Sequence, residues 1–124
     1  MVLDTSVILA IFFEENYAKW AIERLNGVRQ PLKMSTVNLT ECLIRLQDKQ
    51  PTQYAALEEK LLYSGIQFVS PDVAQSQLAA KARIQFPLNL GDCFAYALAK
   101  QQDCPILTLD KDFRLLDLLV IHPF

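Results

Sequence analysis

Five short apolar runs, separated by longer helix-patterned stretches, constrain this chain more than any other feature. They are Val2-Leu3, Leu32-Lys33-Met34, Ile66-Gln67-Phe68-Val69, Ile106 to Leu109 and Leu119-Val120-Ile121, and each reads as a short buried strand. Thr5 and Ser6 are placed to cap a first helix running to about Glu14. Residues 16–26 form a second, with Ala18, Ala21, Ile22 and Leu25 at helical spacing and Gly27 as its stop. Ser35 or Thr36 caps a third, with Leu39, Cys42, Leu43 and Leu46 as its apolar stripe. Pro51 starts a fourth that Gly65 ends, and Pro71 opens a fifth that runs to about Phe86. Asn89 caps a sixth, ending near Asp103 and Pro105. Strands alternating with helices predict an α/β fold: a three-layer α/β/α sandwich around a mainly parallel five-stranded sheet. With 124 residues and no internal repeat, low-complexity tract or long linker, residues 1–124 are expected to form a single domain.

Four acids stand in contexts that do not normally carry one. Asp4 ends the run Met1-Val2-Leu3, and Asp110 closes Ile106-Leu107-Thr108-Leu109. Glu41 sits mid-helix after Asn38-Leu39-Thr40, and Asp92 opens Gly91-Asp92-Cys93-Phe94-Ala95-Tyr96-Ala97-Leu98-Ala99. Burying an unpaired carboxylate costs several kcal/mol, so apolar segments exclude one unless it has a partner. In parallel sheets ligands bind beyond the carboxyl ends of the strands, at a topological switch point. Asp4 and Asp110 each follow a predicted strand, and Asp92 begins the helix preceding the Asp110 strand. Three of the four therefore converge from connectivity alone. Their mutual repulsion is best relieved by a hard divalent cation, which prefers oxygen ligands, and that reading makes the chain a metal-dependent enzyme.

Each acid also has a plainer reading. Asp4 suits a helix N-cap. Asp92, three residues after Asn89, suits a capping box, although Ala95 and Ala99 leave room for something to approach it. Glu41 points away from the Leu39/Cys42/Leu43/Leu46 stripe, but Val37 and Ile44 flank it, which suggests a helix packed on two sides. Asp112 is a second ligand, an outer acceptor or, most simply, a turn former.

Other chemistries find little support. His122 is the only histidine and stands beside Pro123 and Phe124, and three glycines build no phosphate loop. Cys42, Cys93 and Cys104 are odd in number and lack metal-ligand spacing, so they read as small buried hydrophobes in a reducing cytosol. Phe12, Phe13, Tyr17 and Trp20 belong to the core or to a subunit or partner interface. The formal charge of −2 gives no global pull on nucleic acid, yet 12 Lys and Arg leave room for a local basic patch. The longest uncharged run, Leu61 to Pro71, is 11 residues, about half of what a bilayer requires. An acid at position 4 and no basic leader argue against a signal peptide. A soluble, cytoplasmic protein with no membrane association is expected.

Taken together, Leu3-Asp4-Thr5-Ser6, Asn38-Leu39-Thr40-Glu41, Leu90-Gly91-Asp92 with its alanines, and Leu107-Thr108-Leu109-Asp110-Lys111-Asp112-Phe113 resemble a PIN domain. Their order, spacing and total length are similar to the VapC-type toxins of toxin–antitoxin pairs. The resemblance implies a Mg²⁺- or Mn²⁺-dependent endoribonuclease, usually a homodimer, inhibited by a small antitoxin protein. It implies that Asp4, Glu41, Asp92 and Asp110 form the catalytic, metal-binding cluster. Thr5, Ser6 and Thr108 would be polar supports, and Asp112 an outer-shell residue. Leu109 departs from the smaller or polar residue common in relatives. Lys33, Lys111 and Arg114 are the expected contacts to the RNA backbone. A haloacid-dehalogenase phosphatase would need a second Asp where Ser6 stands, and a receiver domain would need a different order of acids. The remaining alternative is a non-catalytic PIN fold kept for RNA binding or scaffolding, whose sign would be a missing cluster acid.

Overall fold

Val2 and Leu3 point to opposite faces of one strand, and that alternation organises the fold. The computed structural model describes residues 1–124. Its strands are β1 (Val2–Leu3), β2 (Lys33–Ser35), β3 (Gln67–Val69), β4 (Ile106–Leu107) and β5 (Val120–Ile121). Its α-helices are α1 (Thr5–Phe12), α2 (Ala18–Asn26), α3 (Thr36–Lys49), α4 (Tyr54–Leu62), α5 (Val73–Gln85) and α6 (Leu90–Gln102). A 3-10 helix covers Lys111–Leu115. All neighbouring strands are parallel, in the order β3-β2-β1-β4-β5.

Two cores flank this sheet. Val2 and Ile106 face Ala79 and Ala82 of α5 and Ala95 and Leu98 of α6. Leu3, Met34 and Leu107 face the other way, onto Val7, Ile8, Ala21, Cys42, Leu46 and Leu61 of α1 to α4. A parallel sheet covered on both faces has no need of polar alternation, which is why its strands read as continuous apolar runs. No helix is long and apolar enough to cross a membrane.

At the first helix start the structure chooses between the readings the sequence offered. Asp4, not Thr5 or Ser6, is the N-cap of α1: its backbone is extended (φ −84°, ψ 155°) and its carboxylate accepts the Ser6 N–H. Ser35 caps α3 and Asn89 caps α6. Pro51 lies in a turn ahead of α4, and α5 starts at Val73 because the Asp72 carboxylate accepts the Gln75 N–H at 2.8 Å. After α1 the chain turns through two left-handed residues, Glu14 (φ 52°) and Tyr17 (φ 70°), before α2.

The chain steps outward from β1 to β2 to β3, then returns to the other side of β1 for β4. This reversal puts the switch point between β1 and β4, with Asp4 just beyond one strand and Thr108 to Asp110 just beyond the other.

Candidate active site

Asp4 is 2% exposed, and all its protein hydrogen bonds fall on Oδ2. The Ser6 hydroxyl donates to that oxygen at 2.7 Å and the Thr108 hydroxyl at 2.9 Å. Both hydroxyls also accept, Ser6 from the Leu109 N–H and Thr108 from the Asp110 N–H, each at 2.9 Å. The ends of β1 and β4 are stitched together through one carboxylate oxygen. Burial pushes the Asp4 carboxyl above its ordinary range, against the pull of the Ser6 and Thr108 bonds, and the Asp110 charge adds to the rise.

Glu41, in the middle of α3, is held by the residue that follows Asp4. Thr5 donates to its Oε1 at 2.9 Å, and so does the Asn38 side-chain amide, at 2.9 Å. That amide also donates to the Gly91 carbonyl at 3.0 Å, tying α3 to the first turn of α6. Asn38 is fully buried and its Oδ1 has no partner. Gly91 is required here, because a Cβ at that position would overlap the Glu41 carboxylate. The proposed second apolar strip beside Glu41 does not form: Val37 is half-buried but Ile44 is 58% exposed. Glu41 is instead partly buried through contact with Thr5, Asn38 and Gly91.

Asp92 completes the capping box of α6. The Asn89 side chain accepts its N–H at 2.8 Å, and its Oδ2 accepts the Asn89 N–H at 3.2 Å. The capping and cluster roles coincide, since the first turn of α6 faces the switch point. Burial raises the Asp92 carboxyl to about 7, with the charges of Asp4, Asp110 and Glu41 pushing the same way and the Asn89 bond opposing them. Asp110 caps the 3-10 helix, its Oδ1 accepting the Asp112 N–H at 2.8 Å. Asp112 is exposed.

A pattern joins the four. Each carboxylate gives one oxygen to local hydroxyl or N–H donors and keeps the other without a protein partner. None is paired with a cation, for the one ion pair of the molecule joins Lys100 and Asp117 elsewhere. Four hard oxygen donors lacking counter-charge have the chemistry of a divalent-metal site. As they stand no three of them close round a single point, so an ion would have to draw the free oxygens inward. The neighbouring thiol is no rival nucleophile: burial, then Asp4 and Glu41, push Cys42 up to about 12.

The three basic residues separate. Lys111 and Arg114 follow Asp110 on the 3-10 helix, exposed, at the carboxyl edge of the sheet. Lys33 opens β2 and donates to Gln102 at the far end of α6, so it belongs to the opposite edge and does not flank the acids. The aromatic group also divides. Phe12 and Phe13 line a groove of about 750 Å³ between α1, α2 and α4, whose lining includes none of the four acids, with Lys60 and Lys49 over their rings. Tyr17 instead meets Phe124. Asn38 and Gly91 were not singled out from the sequence as site residues. The available signal was Asn38 three residues before Glu41, on the same face of one helix.

The PIN domain family model matches residues 1–119. Among similar proteins is a "Ribonuclease VapC" of Mycolicibacterium smegmatis, 34% identical over 98% of this chain and all of that protein. Another is "Ribonuclease VapC42" of Mycobacterium tuberculosis, 34% identical over 91% of this chain and 92% of that one. The fold is shared with Mycobacterium tuberculosis VapC20, described as a Sarcin-Ricin loop cleaving toxin (TM-score 0.82, 13% identity, 95% of each chain). It is shared too with a chain of a toxin–antitoxin complex from Klebsiella pneumoniae (TM-score 0.77, 18% identity, 99% of this chain and 97% of that one). On the family match and these near full-length relatives, the chain belongs to the PIN-domain family.

Proposed function

We propose that this protein, a single PIN domain over residues 1–124, is a divalent-metal-dependent endoribonuclease. We further propose that it is the toxin of a toxin–antitoxin pair, acting in the cytoplasm. The observation that carries the reading is the set of four carboxylates, each with one oxygen held and one free, and no cation among them. A non-catalytic PIN fold would have no reason to keep all four acids at such electrostatic cost.

Asp4, Glu41, Asp92 and Asp110 are the residues that would hold Mg²⁺ or Mn²⁺. When bound, such an ion lowers the pKa of a coordinated water toward 7 and neutralises charge on the scissile phosphate. The chain's own groups do the positioning. Ser6 and Thr108 fix the rotamer of Asp4, and Thr5 and Asn38 fix that of Glu41. The Asn89 box fixes Asp92, and the Asp112 N–H fixes Asp110. Lys111 and Arg114 are placed to meet RNA phosphates leaving the site. Asp112 stands outside the cluster.

The groove lined by Phe12 and Phe13 has an apolar floor and lysines at its rim, and so suits an amphipathic segment with acidic flanks. We assign it to the small antitoxin partner, and expect the free chain to be a homodimer. Cleavage of RNA should appear with Mg²⁺ or Mn²⁺ and stop on chelation. Asp4→Asn and Asp92→Asn should abolish it while leaving the fold intact, since Asn still caps a helix and crowded charge is removed. Full activity in either folded variant would sink the mechanism. Co-expression with a small neighbouring reading frame should yield an inhibited complex.

A further inference from the structure

Next to the acids lies a second depression, of about 600 Å³, whose inner wall includes Ser6 and Leu109. The Ser6 hydroxyl is bonded to Asp4, and the Leu109 N–H is bonded to that hydroxyl, so the depression opens directly off the candidate active site. Its outer wall is aromatic. Tyr17 and Phe124 meet edge to face, with centroids 5.4 Å apart and planes at 82°. They remain 47% and 41% exposed, and neither belongs to the two apolar cores.

Cations stand on two sides of this pair. Lys111 Nζ is 5.0 Å from the Phe124 centroid, and His122 stacks on that ring with centroids 5.7 Å apart and planes at 25°, which leaves Tyr17 as the ring of the pair with no stacked partner. Arg45 lines both this depression and a smaller one beside Thr5 and Glu41, and it has no carboxylate partner. Tyr17 is held in place at a conformational cost, since its left-handed φ of 70° is unfavourable for a residue with a side chain. A ring that is displayed at such cost and left outside the core is being presented to something. Aromatic faces beside free cations are the two elements from which single-stranded nucleic acid sites are built, one for the bases and one for the backbone.

We propose that this depression is a nucleobase subsite. It seats one unstacked base of single-stranded RNA against the Tyr17–Phe124 pair, with Arg45 and Lys111 on the flanking phosphates. Glu15 and Asn16 line the same space and offer a carboxylate acceptor and an amide to the base edge, so a base with an exocyclic amino group fits best. The choice of RNA as ligand rests on the nuclease reading above.

The test separates the two. In an Asp92→Asn background, which keeps the strand uncut, fluorescence anisotropy measures binding of short oligo(A), oligo(C) and oligo(U), and of an abasic ribose-phosphate strand of equal length. Oligo(A) and oligo(C) should bind about 5- to 150-fold more tightly than the abasic strand, the range that stacking one base supplies, with oligo(U) between. Adding Tyr17→Ala should remove most of that preference, Tyr17→Phe should retain it, and neither should alter abasic binding. A base preference that survives Tyr17→Ala, or none in the parent, overturns the subsite. So does a Tyr17→Ala variant that sediments as a monomer where the parent is a dimer, which would give the aromatic pair to a second copy of the chain. Tyr17-dependent base preference in a chain that never cuts RNA supports the subsite and removes the nuclease reading instead.

Discussion

Asp92 titrates against three other acids, and its behaviour with pH reports on the cluster. Its carboxyl is raised from an ordinary 3.8 to about 7, by burial first and then by Asp4, Asp110 and Glu41. The folded state thus holds a proton that the unfolded chain gives up. Stability from this group is complete below about pH 4, falls as pH rises through 7, and levels off above it. With chelator present, the melting temperature should decline across that window, and Asp92→Asn should flatten the decline. Asp110 and Asp112 differ at the same scale. The first is tied to Thr108 and faces the cluster, while the second lends only its N–H and leaves its carboxylate in solvent. Asp110→Asn should therefore cost far more cleavage than Asp112→Asn. The latter should stay within about 10–100-fold of the parent and recover with added metal; metal titration of the cleavage rate compares them. Asp4, Asp92 and Asp110 were legible in the sequence because a strand end or a helix start fixes where each one points. Asn38 was not, because its role depends on the approach of α3 to α6, which no local pattern encodes.

At the level of elements, the contact between α3 and α6 is the most exacting part of the site. Gly91 lies in the first turn of α6 with the Glu41 carboxylate where its Cβ would be. Glu41 is clamped by Thr5 and Asn38 and cannot swing aside freely. Gly91→Ala should lower the melting temperature modestly, since the added Cβ must displace the clamped Glu41 from Thr5 and Asn38, a loss that alanine's better helix propensity, worth about 1 kcal/mol, offsets only in part. It should lower cleavage by about tenfold or more through displacement of Glu41. Circular dichroism melts and rate measurements on one preparation decide this; an equal loss of both would point to general misfolding. Strand and helix order was readable from periodicity, and the parallel sheet followed from it. The ends of elements were less so. Lys33 was set at the wrong edge because a run as short as Leu32 to Met34 does not reveal which residue opens the strand. Asp4 was read as a cap or as a cluster acid, with Thr5 and Ser6 as rival caps, and one side chain turns out to cap the helix and face the cluster.

For the molecule as a whole, the uncompensated acids would make a bound divalent cation a source of stability as well as of the proposed chemistry. An ion bound only by the folded state at about 100 times its Kd adds about 2.7 kcal/mol, which for a domain of this size raises the melting temperature by on the order of 10 °C. Mn²⁺ should produce that rise in the parent, and Asp4→Asn should blunt it, a result independent of any RNA substrate. The parallel topology also sets an order in time. Asp4 is fixed by a hydroxyl 104 residues further along the chain, on a strand that pairs directly with its own. No amino-terminal portion of the protein that lacks β4 can assemble the cluster by itself. On the ribosome the four acids can therefore converge only after Thr108 has left the exit tunnel, so the sheet order would keep the proposed nuclease unarmed while its first hundred residues are being made.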